Sequence, residues 1–199
     1  MTTKRVYNFS AGPSTLPVSV LENIASQMLN YHDSGMSVME MSHRSSSYLE
    51  IFNETKAMLK KVMNIPDNYQ ILFIQGGATQ QFSTIPLNLM KNGKADYIVT
   101  GSFSKNAAQE AQKFGDVHIA YDGSDQDFKH IPTQDELNIR EDASYVHLCS
   151  NNTIYGTEWK YVPDTHGIPI VADMSSNILS KPINVSDYGM IYAGAQKNM

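Results

Sequence analysis

The sequence holds a single cysteine, Cys149, among its 199 residues. One thiol cannot build an intrachain disulfide framework, nor the paired CxxC ligands of a thiolate metal site, so no metal is expected and a reducing, cytoplasmic setting fits. No block of lysine and arginine occurs; the nearest, Lys60-Lys61, reads as the solvated side of a helix. With a net charge of −5, nothing points to a general nucleic-acid binder. No apolar run nears membrane-spanning length, and the opening Met-Thr-Thr-Lys-Arg-Val-Tyr lacks the apolar core of a secretory signal. GxGxxG and Walker A motifs are missing too, which weakens a dinucleotide or NTPase reading.

What remains has ordinary globular composition, 41% hydrophobic and 18% charged. A chain of this length buries about 70% of its unfolded surface as one domain. Residues 8–17 are turn-rich, so residues 1–16 read as an entry arm and 17–199 as the folded domain. Pro17 is placed to open a helix with Val20, Leu21, Ile24, Met28 and Tyr31 on its apolar face. A second helix is predicted over Ser47–Met63, with Leu49, Phe52, Met58, Leu59 and Val62 as a buried stripe.

Strands and helices then alternate. Strands are predicted at Tyr69–Ile74, Tyr97–Val99, Val117–Tyr121, Tyr145–Cys149, Ile168–Ala172 and Met190–Tyr192. A helix carrying Phe82, Ile85, Leu87 and Leu89 follows Gly76-Gly77, with a kink or early break at Pro86. Another spans about Lys105–Phe114, and a short one lies near Asp135. Such alternation implies βαβ units and an α/β fold on a mainly parallel sheet sandwiched by helices.

Polar residues follow the strand ends, where open α/β sheets collect ligand contacts. Gly76-Gly77-Ala78-Thr79 places flexible backbone at a helix start, suited to a phosphate or to a tight connection alone. Phe103 is either a stacking ring for a flat heterocycle or core. Ser150-Asn151-Asn152-Thr153 forms a turn with hydrogen-bonding capacity. Asp173 ends an apolar strand, and its charge there needs a partner: a helix to cap, or a protonated ring nitrogen. Lys197 follows the last strand as a surface lysine or as an amine able to form a Schiff base with an aldehyde. Ser42-His43-Arg44 lies on a loop, and its arginine suits bidentate carboxylate or phosphate binding.

Phe9-Ser10-Ala11-Gly12-Pro13, Met39-Glu40-Met41-Ser42-His43-Arg44, Gly76-Gly77-Ala78-Thr79-Gln80-Gln81-Phe82, Ile85-Pro86-Leu87-Asn88-Leu89, Ala172-Asp173-Met174-Ser175-Ser176 and Tyr192-Ala193-Gly194-Ala195-Gln196-Lys197-Asn198 occur in that order. Together they resemble the phosphoserine aminotransferase family, fold-type I pyridoxal-phosphate enzymes of aminotransferase class V. The resemblance implies amino transfer between L-glutamate and 3-phosphohydroxypyruvate in serine biosynthesis, with a possible second place in pyridoxine biosynthesis. It makes Lys197 the Schiff-base lysine and Asp173 the pyridinium partner. Ala78 and Thr79 would hold the cofactor phosphate, with Phe103, Thr153 and Gln196 as further cofactor contacts. Arg44 and His43 would receive the substrate's anionic end. Many relatives carry tryptophan in place of Phe103, and some carry serine in place of Ala11.

The resemblance covers roughly the first half of the family's chain. It lacks the end of the large domain, the C-terminal small domain, a further substrate arginine and the residues lent to a partner's cofactor phosphate. A homodimer with interface sites is expected for the full-length form. The alternatives are a non-catalytic fragment and another class V aminotransferase or desulfurase.

Overall fold

Five apolar runs supply the strands of one fully parallel sheet in the computed structural model, which describes residues 5–10 and 12–199. Two units are compact in themselves, residues 1–71 and 72–199.

In the first unit, α1 (Val18–Gln27) starts after Pro17, and α2 (Ser46–Val62) is capped by Ser45, whose Oγ accepts from the Tyr48 N–H. Neither helix buries a residue. The stripe expected to be buried on α2 is therefore not: Met58 and Val62 are exposed. An apolar helical face is covered only where a partner surface exists, whatever its periodicity. Tyr31 lies in a separate single turn beyond α1.

The second unit carries α3 (Gly77–Leu89), β1 (Lys94–Val99), α4 (Ser102–Ala111), β2 (Asp116–Asp122), β3 (Val146–Cys149), the two-residue strands β4 (Asn151–Asn152) and β5 (Thr157–Glu158), β6 (Ile170–Asp173) and β7 (Met190–Tyr192). The main sheet runs β2-β1-β3-β6-β7, and β4–β5 form a small antiparallel hairpin. This is the α/β architecture expected, a parallel sheet with flanking helices. One face is packed by α3 and α4: Tyr97, Val99, Tyr145, Val171 and Tyr192 meet Phe82, Ile85 and the alanines Ala107, Ala108 and Ala111. Small residues along α4 let it lie close to the sheet.

Two further expectations need correction. Residues 69–74 form no strand. A strand needs a ladder partner, and Leu72 and Ile74 are instead 75% and 62% exposed. Of the kink or early break expected at Pro86, the break does not occur; α3 continues to Leu89 with Pro86 buried inside it. The short helix expected near Asp135 is present as one 3-10 turn, Gln134–Glu136. Boundaries also move: α4 begins three residues before Lys105, and β6 includes Asp173.

One ion pair anchors the sheet's middle. The Asp96 carboxylate on β1 is fully buried and accepts from the Arg140 side-chain Nε–H and backbone N–H, both at 2.7 Å. The Arg140 Nη1 reaches Asp116 at 2.6 Å, and Nη2 donates to the Ala95 carbonyl. Removing one member of such a pair strands a buried charge. Arg140→Ala is expected to lower unfolding stability by about 3 kcal/mol. Urea melts of the two proteins check this, and a change below about 0.5 kcal/mol would contradict it.

Candidate functional site

The order β2-β1-β3-β6-β7 creates a switch point. The chain moves outward from β1 to β2, then restarts at β3 on the other side of β1. Crevices beyond the carboxyl ends of strands at such a point are where open sheets bind ligands. After β1, Ser104 Oγ accepts from the Thr100 and Gly101 N–H groups at 3.0 and 3.1 Å and ties down the start of α4. A Cβ on Gly101 would fall 2.7 Å from Asn152 Oδ1, so glycine lets the loops after β1 and β3 meet. Asn152 accepts from Thr100 Oγ1 at 3.3 Å and donates to Thr157 Oγ1 at 2.9 Å. These bonds fix the hairpin whose turn carries Thr153.

Lys197, beyond β7, reaches the same place. Its Nζ donates to Thr153 Oγ1 at 3.0 Å and lies 5.8 Å from the Phe103 ring centroid. That is within cation–π range, about 6 Å. Loops from three strands thus bring Phe103, Thr153 and Lys197 together.

Asp173 closes β6 and is buried. Its Oδ1 accepts from the Ser175 N–H at 2.9 Å, an Asx turn; turns rather than a helix follow, so no helix is capped. Ser175 Oγ accepts from the Gly194 N–H at 3.0 Å, joining the loops after β6 and β7. The Cys149 thiol reports the local field. Burial pushes it well up and the Asp173 charge adds to this, while the Ser104 hydroxyl and Lys197 pull it down. One buried atom therefore senses both Asp173 and Lys197.

Gly76 and Gly77, with φ of +97° and +64°, turn the extended chain into α3 where L side chains would be strained. Ala78 and Thr79 then lie in the first turn, whose N–H groups have no intrahelical acceptor. A Cβ on Gly194 would stand 3.6 Å from Ala78 Cβ and 3.8 Å from its nitrogen, so this helix start abuts the chain three residues before Lys197.

Gln196 is exposed, its backbone N–H on the Gly194 carbonyl. His43 and Arg44 belong to the first unit, exposed on the turn ahead of α2 with the Arg44 N–H on Ser42 Oγ. Ala11 lies outside the described residues. Asn152 entered the sequence reading only as part of a hydrogen-bonding turn, and no site role was given to Ser175, His147 or Tyr192. The signal for the last two was a polar atom inside an apolar strand. A separate cavity of about 210 Å³, lined by Leu148, Trp159, Met174, Ile178 and Tyr188, includes none of the converging residues.

The aminotransferase class-V family profile matches residues 6–199. The chain belongs to that family. Phosphoserine aminotransferase of Lysinibacillus sphaericus is 52% identical over 198 residues, 99% of this chain and 55% of that protein. Among solved structures, phosphoserine aminotransferase from Bacillus circulans subsp. alkalophilus aligns with a TM-score of 0.92 at 44% identity, over 96% of this chain and 53% of that one. A PLP-bound phosphoserine aminotransferase from Trichomonas vaginalis aligns at 0.87 and 38% identity, over 95% and 53%. This class V chain spans about half the length of these relatives.

His147 gives the site's surroundings a pH dependence. Burial pushes its pKa from an ordinary 6.5 down to about 3. Below about 6.5 the unfolded chain binds a proton that the folded chain refuses, so stability is lost as the pH drops and the loss levels off near pH 3. Urea melts across pH 7 to 3 should show this loss, and a His147→Gln chain should show a flatter profile. Equal slopes for the two would contradict the assignment.

Proposed function

We propose that the chain is the cofactor-binding part of a phosphoserine aminotransferase. With pyridoxal 5′-phosphate, such an enzyme moves an amino group between L-glutamate and 3-phosphohydroxypyruvate, giving O-phospho-L-serine and 2-oxoglutarate. The observation that carries the reading is the convergence of the Lys197 amine with Phe103 and Thr153 in a crevice whose field includes Asp173. The donor set fits this cofactor: an amine for its aldehyde, a buried carboxylate for its ring nitrogen, a ring for its face and a helix start for its phosphate. When bound, the cofactor supplies an electron sink for charge developing at the substrate Cα.

The chain's own groups do the rest. Asp173 keeps a proton on the ring nitrogen, since a buried carboxylate needs a cationic partner. Phe103 holds the ring from one face, with less area than the tryptophan of many relatives. Thr153 Oγ1 and Gln196 add polar contacts to the cofactor. Backbone N–H groups at Ala78 and Thr79 hold the phosphate with the positive end of α3. Once the substrate's amine has taken its place, Lys197 Nζ would accept the Cα proton as general base and give it up again as general acid. Arg44, aided by His43, receives the substrate's anionic end bidentately.

In this reading residues 17–199 are the cofactor-binding domain and 1–16 an arm. The assembly is a cytoplasmic homodimer with interface sites, serving serine biosynthesis and also pyridoxine biosynthesis. The exposed apolar faces of α1, α2 and residues 72–74 favour a second reading. In it, the chain binds cofactor but turns over only when those faces are covered.

Purified chain mixed with pyridoxal 5′-phosphate is expected to turn yellow, and borohydride should fix the label on Lys197. Lys197→Ala should take no label and transfer no amino group. A Lys197→Ala protein keeping a tenth of the unaltered chain's activity, or label on another lysine, would sink the assignment.

A further inference from the structure

Behind Asp173 the sheet holds a polar line that the reading above leaves unused. In the parallel register Cys149 stands opposite Asp173, and Asp173 opposite Tyr192. Side chains alternate along strands, so His147, Cys149, Asp173 and Tyr192 share one face. The Tyr192 hydroxyl lies 2.9 Å from His147 Nε2. Burial first, then the Asp173 charge, raises the Tyr192 pKa, so the hydroxyl that bonds the imidazole also lies in the field of the carboxylate opposite it in the register. All three residues are buried, and the Tyr97 ring stacks on His147 at 4.7 Å. His147 Nδ1 is buried with no partner among the described residues.

That orphan nitrogen sets the polarity of the line. A neutral imidazole carries one N–H. With the proton on Nδ1, a buried donor would go unpaired and Tyr192 would spend its O–H on Nε2. Only hydroxyl lone pairs would then face the carboxylate. With the proton on Nε2, the unpaired atom is an acceptor, the more readily tolerated case. Tyr192 is then free to donate to Asp173, which as a carboxylate can only accept.

We infer that His147 and Tyr192 are positioning residues, a wire running from His147 Nε2–H through the Tyr192 O–H that holds the Asp173 carboxylate for a protonated ring nitrogen. Beside the Ser175 N–H on Oδ1, the Tyr192 O–H would be a second fixed donor and would leave the carboxylate lone pairs for a cationic one. The role rests on the pyridoxal-phosphate reading; the polarity of the wire does not.

The test has two parts. Nitrogen NMR of the cofactor-free 199-residue chain, labelled at histidine, should show His147 as the neutral Nε2–H tautomer at pH 7. The Nδ1–H tautomer or an imidazolium would overturn the wire, and this measurement decides even if a variant fails to fold. Pyridoxal 5′-phosphate is then titrated into folded variants and followed by visible absorption. Tyr192→Phe should weaken binding about tenfold, the cost of one hydrogen bond to a charged group, and shift the bound spectrum toward an unprotonated ring. His147→Gln, whose amide keeps a donor near Nε2, should retain the unaltered spectrum, and His147→Leu should follow Tyr192→Phe. An unchanged Kd and spectrum in folded Tyr192→Phe would overturn the positioning role alone. If the unaltered chain binds no cofactor, the functional reading falls and the wire's role with it.

Discussion

Parallel alignment of five strands is the constraint on which the site depends. Because β1, β3, β6 and β7 run the same way, their carboxyl ends lie along one edge of the sheet. Each end delivers one group: Phe103 in the first turn of α4, Thr153 in the β4–β5 turn, Asp173 as the last residue of β6 and Lys197 beyond β7. In an antiparallel sheet alternate loops would leave at the opposite edge. The packing of α3 and α4 on the sheet then fixes where the start of α3 falls. Close contacts at Gly101 and Gly194, rather than covalent links, set the spacing between loops.

Two buried carboxylates on this sheet show how burial separates structural from functional charge. Asp96 accepts from the Arg140 side chain and backbone, so its charge is matched within the protein. Asp173 accepts from a neutral donor, the Ser175 backbone N–H, and stands opposite Tyr192 in the register. A buried anion held by neutral dipoles retains an appetite for a cation. The same sheet therefore carries a closed charge at one strand and an open one two strands away. The line from His147 to Tyr192 gives the open charge a fixed direction without neutralising it.

The sheet was legible because β1, β3, β6 and β7 are short apolar runs bounded by turn residues, and Asp173 and Lys197 stood out as charges at their ends. Residues 69–74 have the same local pattern yet form no strand, since strand formation depends on a ladder partner that no local window reveals. The periodicity of α2 was read correctly as helix and incorrectly as burial, because burial belongs to the surface opposite. His147 and Tyr192 escaped notice because they sit among apolar neighbours, and only register shows that they line up with Asp173. The roles assigned to the site came from resemblance to a family; what the geometry adds is the convergence of residues up to 94 positions apart, from Phe103 to Lys197.

The most direct test of the account is a crystal structure of this chain soaked with pyridoxal 5′-phosphate. The account predicts density in the crevice beyond β1, β3, β6 and β7, joined to Lys197 Nζ, with the phosphate at the first turn of α3 and the ring nitrogen within hydrogen-bond distance of Asp173. Cofactor bound elsewhere, or with its ring nitrogen turned away from Asp173, would contradict it.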